Sequence, residues 1–287
     1  MRRGSSLLLS MSLACGAPAA APAHAPGHSA AVLERPYGLD VPAGLDRATP
    51  APLLVLLHGY GASGLLEDQY FGFPQLADDR GVLVAYPDGT VDSKGNRFWN
   101  ATDACCNFDG SAVDDVAYLD AVVDDVEAHY PVDPAQVYVV GHSNGAFMAH
   151  RLACDRATRY AAVVAFAGDV WKDPARCAPA GPIAVLQVHG DLDAVIPYAG
   201  NRTMPSAPES IATWAAKNAC TGMLAPTGQT FDLVPALPGA ETSPAAYACA
   251  HGAAELWTIH GGTHVPFFKV PDWGNHVFDW LSAHRRR

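Results

Sequence analysis

Apolar residues in this chain follow two rhythms. Short, nearly unbroken runs at 53–57 (LLVLL), 82–86 (VLVAY), 137–140 (VYVV), 161–166 (AAVVAF) and 183–188 (IAVLQV) have the length and composition of strands buried on both faces. The stretch 255–259 reads as a last strand and 37–41 as an early antiparallel one. Elsewhere the spacing is helical. Val116, Leu119, Val122, Val123, Val126 and Tyr130 fall on one face of a helix predicted over 113–130. Ser206-Ala207-Pro208-Glu209 is a capping box with proline in the first turn, which predicts a helix running to about Asn218. Trp273, Val277, Phe278, Trp280 and Leu281 mark a closing helix over 271–284. Strands alternating with helices predict an α/β fold, a mostly parallel, doubly wound sheet with helices on both faces and no large cap domain. Residues 90–112 read as a long polar loop, and 221–248 as loop with at most an edge strand. The carboxylates Asp115, Asp120, Asp124, Asp125 and Glu127 are expected on a solvated helix face, since the glycine and spacing of a calcium-binding EF-hand are missing.

The strand at 137–140 runs straight into Gly141-His142-Ser143-Asn144-Gly145, followed by helix-favouring Ala146, Phe147, Met148, Ala149 and Leu152. Strand, G-x-S-x-G and helix in that order form a nucleophile elbow, whose tight turn lifts a serine hydroxyl above the C-terminal edge of the sheet. The competing reading of Ser143 is a loop serine that caps the helix. A serine hydroxyl needs a base to take its proton, and the base needs a carboxylate to fix its tautomer. Both must come from loops at the same edge. The run 183–188 leads into His189-Gly190-Asp191-Leu192-Asp193, with two candidate acids. The last strand leads into His260-Gly261-Gly262-Thr263-His264, where His264 is preferred because two glycines carry it over the edge. The chain order is then Ser, Asp, His, as expected for an α/β-hydrolase. Backbone N–H groups to stabilise an oxyanion are expected from Tyr60, in the glycine-rich loop after Leu57, and from Asn144. His58 is read as structural. Phe98, Trp99 and His142 are candidate substrate contacts, against the plainer reading that they pack.

Composition narrows the setting. A net charge of -11 argues against nucleic acid and anionic membranes as partners. The arginines ending the chain read as a frayed, solvated end. Arg2-Arg3, the apolar run 7–14 and A-x-A-like sites near Ala21 to Ala25 read as an export signal, with an Ala/Pro-rich tether up to Ala31 and one catalytic domain over 32–287. Cys15 also lies in an imperfect lipoprotein-type signal, so a lipid anchor is the alternative to plain secretion. Without Cys15 an even set of cysteines remains, as suits an oxidising compartment. Cys220 and Cys249 are expected to pair. Cys154 and Cys177 are expected at the edge away from the serine, leaving Cys105 and Cys106 as a vicinal pair or crossed with those two. No spacing supports a metal or cofactor site, and no later run is long enough to span a bilayer.

LLHGYGASG, FWNATDACCN, VDDVAYL, VYVVGHSNGAFMAHRLAC, HGDLDAVIPY and TIHGGTH together resemble the secreted poly(3-hydroxybutyrate) depolymerase and feruloyl esterase group of α/β-hydrolases, over nearly all of residues 50–268. The resemblance implies that Asp193 rather than Asp191 completes a triad with Ser143 and His264. It implies a secreted serine esterase working through an acyl-enzyme, without cofactor. Its substrates would be polyhydroxyalkanoate-type polyesters or oligoesters, or feruloyl or acetyl esters of plant polysaccharides. Thr263 stands where the group usually has glycine, and Val265-Pro266 replaces the commoner Thr-Trp-Pro. The rival readings are a catalytically silent hydrolase-fold binding protein and a peptidase of the same fold. The presence of both nucleophile and base speaks against the first, and the lack of a propeller or cap against the second.

Overall fold

The computed structural model describes residues 28–286; the export signal, Cys15 and most of the expected tether lie outside them. The chain opens with α1 (Ala30–Glu34), β1 (Tyr37–Asp40), β2 (Ala51–Leu57), α2 (Gly64–Phe71), α3 (Phe73–Arg80) and β3 (Leu83–Pro87). A small hairpin, β4 (Thr90–Val91) and β5 (Arg97–Phe98), precedes α4 (Asp115–His129), β6 (Val132–His142), α5 (Asn144–Asp155) and β7 (Ala162–Phe166). A short 3₁₀ turn, Pro174–Arg176, then leads to β8 (Ala184–Gly190), α6 (Ala207–Lys217), β9 (Thr221–Pro226), β10 (Thr242–Ala248), β11 (Ala253–Ile259) and α7 (Asp272–Ala283).

Among the described residues the main sheet has the order β1-β3-β2-β6-β7-β8-β11-β10-β9. From β3 to β11 neighbouring strands are parallel, while β1, β10 and β9 pair antiparallel at the two ends. The apolar runs became the central strands because both sheet faces are covered. Leu53, Val55, Val137 and Val139 pack with α4 and α5 residues such as Leu119 and Phe147 on one face. Leu54, Leu56, Tyr138 and Val140 pack with Phe71, Trp273 and Phe278 on the other. Strand order reverses between β2 and β6, and ligands of open α/β sheets bind outside the carboxyl ends of strands at such a switch point. The loop after β2 and the elbow after β6 meet there.

Several expectations need correcting. Residues 221–248 contain two strands, because β10 pairs with β11 along its length and β9 pairs with β10; their Ala, Pro and Gly content hides the pattern. Residues 64–80, given no element from the sequence, form α2 and α3, joined at Gly72 in the left-handed region (φ 70°). The acid-rich helix is not solvated at all five carboxylates. Asp115 is buried and accepts from Arg35 Nη2 (2.8 Å) and Asn100 N (2.7 Å), and Asp125 is buried against His28 Nδ1 (2.8 Å) and Tyr37 Oη (2.7 Å). His28, within the expected tether, thus already contacts the domain. Arg285 and Arg286 are docked as well, with Arg285 on Asp133 (2.6 Å) and Arg286 N on the Ala135 carbonyl (2.9 Å). Disulfides join Cys220 to Cys249, Cys154 to Cys177, and Cys105 to Cys106, so the open choice resolves to the vicinal pair.

Candidate active site

Ser143 sits between β6 and α5 at φ 53° and ψ -120°, a backbone conformation costly for any residue with a Cβ. The glycines at 141 and 145 make the turn possible. A Cβ on Gly141 would run into the carbonyl of Gly145, and one on Gly145 into that of Leu57. The turn aims Oγ at His264, whose Nε2 lies 2.9 Å away. His264 Nδ1 is 2.7 Å from Asp193 Oδ2. The other carboxylate oxygen, Oδ1, accepts from the amides of Val195 (2.8 Å) and Ile196 (2.9 Å). Burial alone would push Asp193 up, but hydrogen bonds from His189, His264 and the Ile196 amide, with the charge of His264, hold it well below the usual carboxylate range. An ionised Asp193 keeps the proton of His264 on Nδ1 and leaves the Nε2 lone pair facing Ser143.

The acid and histidine set aside in favour of Asp193 and His264 pair with each other. His260 Nδ1 lies 3.0 Å from Asp191 Oδ2, and its Nε2 lies 2.6 Å from Ser243 Oγ. This second hydroxyl–imidazole–carboxylate row has none of the elbow's features. Ser243 lies within β10 opposite Thr258 of β11, so no helix starts behind it, and His260 is exposed. It ties the loops after β8 and β11 together.

The amides of Tyr60 and Asn144 have no hydrogen-bond partner among the described residues, so both remain able to donate to an oxyanion. The Tyr60 loop is braced from several sides. Its hydroxyl donates to Asp92 (2.5 Å), and Gly61 N donates to the Arg97 carbonyl (2.8 Å) in the β4–β5 hairpin. His58 accepts from Gly89 N at Nε2 (2.9 Å) and meets the Gly59 carbonyl at Nδ1 (2.7 Å); burial lowers its pKa, as befits a neutral structural imidazole.

The three candidate substrate contacts are all buried and packed, as their plainer reading had it. Phe98 and Trp99 are buried. Trp99 Nε1 donates to the His58 carbonyl (3.0 Å), Trp99 N donates to Asn144 Oδ1 (2.6 Å), and Asn144 Nδ2 returns a bond to the Trp99 carbonyl (3.1 Å). The tryptophan thus clamps the loop after β2 to the start of α5. His142 is buried too, with Nδ1 2.9 Å from Glu67 Oε1 and Nε2 3.1 Å from the His264 carbonyl. Glu67 was missed from the sequence. Its other oxygen accepts from Gly59 N (3.2 Å), so one buried carboxylate links the loop after β2, the elbow and, through His142, the His264 loop. No sequence signal marks it beyond an acid in the first turn of a helix.

Residues 45–223 match the phospholipase/carboxylesterase family. The chain belongs to that family. Similarity extends to the putative esterase NocK of Nocardia uniformis subsp. tsuyamanensis, 32% identical over 74% of this chain and 64% of that protein. Feruloyl esterase C of Emericella nidulans is 30% identical over 65% of this chain and 63% of its own. The chain thus spans a little under two thirds of these relatives. Among solved structures, the acetyl xylan esterase from Aspergillus awamori superposes with a TM-score of 0.60 at 15% identity, covering 85% of this chain and 92% of that one. Esterase PE8 superposes at 0.58 and 19% identity, covering 87% and 99%. At such identities these structures show the fold, an α/β-hydrolase with a mostly parallel central sheet.

Proposed function

We propose that this protein is a serine carboxylic-ester hydrolase, with residues 32–287 as its catalytic domain. The observation that carries the reading is the Ser143–His264–Asp193 row at a strained elbow, beside two unengaged amides. Ser143 Oγ attacks the ester carbonyl carbon while His264 Nε2 takes its proton. The amides of Tyr60 and Asn144 hold the negative oxygen, each worth about 3–4 kcal/mol in the transition state. His264 then protonates the departing alkoxide, leaving an acyl-serine. Water attacks that ester with His264 again as base, releasing the acid and restoring the hydroxyl. Asp193 stays ionised throughout and orients the imidazole.

Exposed apolar side chains favour a hydrophobic acyl group. Leu192 and Val195 flank Asp193, Val265 and Phe267 follow His264, and Leu65 and Leu66 follow the oxyanion loop; Phe267 is 83% exposed. Apolar groups gathered on the loops of one site mark a binding surface. Feruloyl esters, named for several relatives, and hydroxyalkanoate polyesters both meet it better than acetyl groups. The disulfides suit a secreted enzyme. The test is hydrolysis of p-nitrophenyl butyrate, methyl ferulate, acetylated xylan and amorphous poly(3-hydroxybutyrate) by wild type and Ser143→Ala. Wild type is expected to prefer methyl ferulate or the polyester, and the variant to lose all activity. Equal rates for the two proteins on every substrate would overturn the proposal.

A further inference from the structure

Asp193 meets two imidazoles, and the reaction above uses one of them. His189, near the end of β8, is fully buried. Its Nε2 lies 2.9 Å from the Ile196 carbonyl and 3.4 Å from Asp193 Oδ2, the oxygen that also meets His264 Nδ1. Its Nδ1 lies 3.2 Å from Nε2 of Gln187, which points to the same face of β8. The same amide nitrogen donates to Oδ1 of Asp169 at 2.9 Å. Gln187 and Asp169 are likewise fully buried.

The chemistry of these atoms sets the direction of the chain. An amide NH₂ only donates, so His189 Nδ1 has to accept. The His189 proton then sits on Nε2, aimed at the Ile196 carbonyl and Asp193. The other tautomer would set N–H against N–H at Gln187 and a lone pair against the carboxylate at Asp193. The row is costly in the core, because Gln187 Oε1 and Asp169 Oδ2 are buried without a partner among the described residues. Apolar side chains would fill the same space without that cost.

We propose that Gln187 and His189 are positioning residues for the triad. Gln187 fixes His189 as the Nε2–H tautomer, and His189 shares that proton between the Ile196 carbonyl and Asp193. With His264 and His189 on Oδ2 and two amides on Oδ1, the carboxylate cannot rotate, and its basicity toward His264 is moderated. This rests on the triad reading above.

The first measurement needs no variant. Long-range ¹H–¹⁵N spectra of the full chain carrying ¹⁵N-histidine should show His189 as a fixed Nε2–H tautomer; an Nδ1–H tautomer, or averaging between the two, overturns the assignment. The second uses Gln187→Glu, which presents an acceptor to Nδ1 and draws the proton there, and Gln187→Met, which presents neither donor nor acceptor. In Gln187→Glu the loss of one charge-assisted bond should lower kcat for p-nitrophenyl butyrate about tenfold, with KM little changed. The acid limb of kcat/KM should move up by about half a pH unit or more, because Asp193 with one donor fewer holds the His264 proton harder. Gln187→Met should fall between. Variants that lose stability while the acid limb stays in place would make the row mere core filling and overturn the proposal. Retained activity in Ser143→Ala would instead overturn the triad reading, and the histidine spectrum would still judge the tautomer.

Discussion

Replacing Glu67 by Gln perturbs the site without touching a reacting atom. Glu67 is 4% exposed, and its two oxygens take one donor each, Gly59 N at 3.2 Å and His142 Nδ1 at 2.9 Å. His142 in turn reaches the His264 carbonyl at 3.1 Å. Glutamine keeps the volume but has one acceptor oxygen. With that oxygen on Gly59 N, its NH₂ faces His142, which then accepts at Nδ1 and carries its proton on Nε2, toward the His264 carbonyl. Charge-assisted hydrogen bonds become neutral ones, at a cost of roughly 1.5–3 kcal/mol. Glu67→Leu leaves both groups without a partner and should cost more, roughly 3–5 kcal/mol. Denaturant titration reads the stability. The kinetics of p-nitrophenyl butyrate hydrolysis read the site, where kcat should drop about tenfold with KM nearly unchanged, because in the proposed mechanism the Gly59–Tyr60 loop binds the oxyanion more than the ground state. A Glu67→Gln protein with wild-type midpoint and kcat would refute this, as would a loss confined to KM.

Three further outcomes follow from the same contacts. His264→Ala should abolish ester hydrolysis, while His260→Ala should keep much of it, since the row at Ser243 lacks an elbow; the reverse pattern in initial rates would reject the choice of base. Asp68, buried and beside Asp40, is pushed up to about 7 by desolvation and then by that neighbour's charge. Its neutral form is favoured in the fold, so stability falls as pH rises from about 4 to about 7 and then levels off. Asp68→Asn should therefore stabilise by roughly 2–4 kcal/mol near pH 8 and by much less near pH 5, and an equal gain at both in thermal melts would contradict the assignment. Replacing Cys220 and Cys249 by serine opens a bridge that spans 29 positions and should cost about 3–4 kcal/mol. The bridge ties β9 to the end of β10 at the sheet edge, so kcat should hold while the denaturation midpoint falls; an unmoved midpoint would count against it.

Local patterns carried far in this chain because most of the fold is built from buried parallel strands. Such strands need unbroken apolar runs, so β2, β3, β6, β7 and β8 were legible. The capping box of α6 appears with both of its hydrogen bonds, Glu209 N to Ser206 Oγ and Ser206 N to Glu209 Oε2. The elbow was legible for a similar reason, since its glycines answer to contacts within a few residues and one neighbouring strand. The outer strands β9 and β10 were not, because partly exposed strands tolerate alanine, proline and glycine.

The residue types, the order of elements and the set of candidate chemical groups were thus determined by the chain itself. Which acid meets which histidine, what buries Trp99, and where Glu67 and His189 point were decided by tertiary structure. Asp191 and Asp193 are two positions apart, as are residues on one face of a strand, yet the turn after β8 sends one carboxylate to His260 and the other to His264. Hydrogen bonds depend on angles and on tenths of an ångström, which are set only when separate strands and loops have packed together.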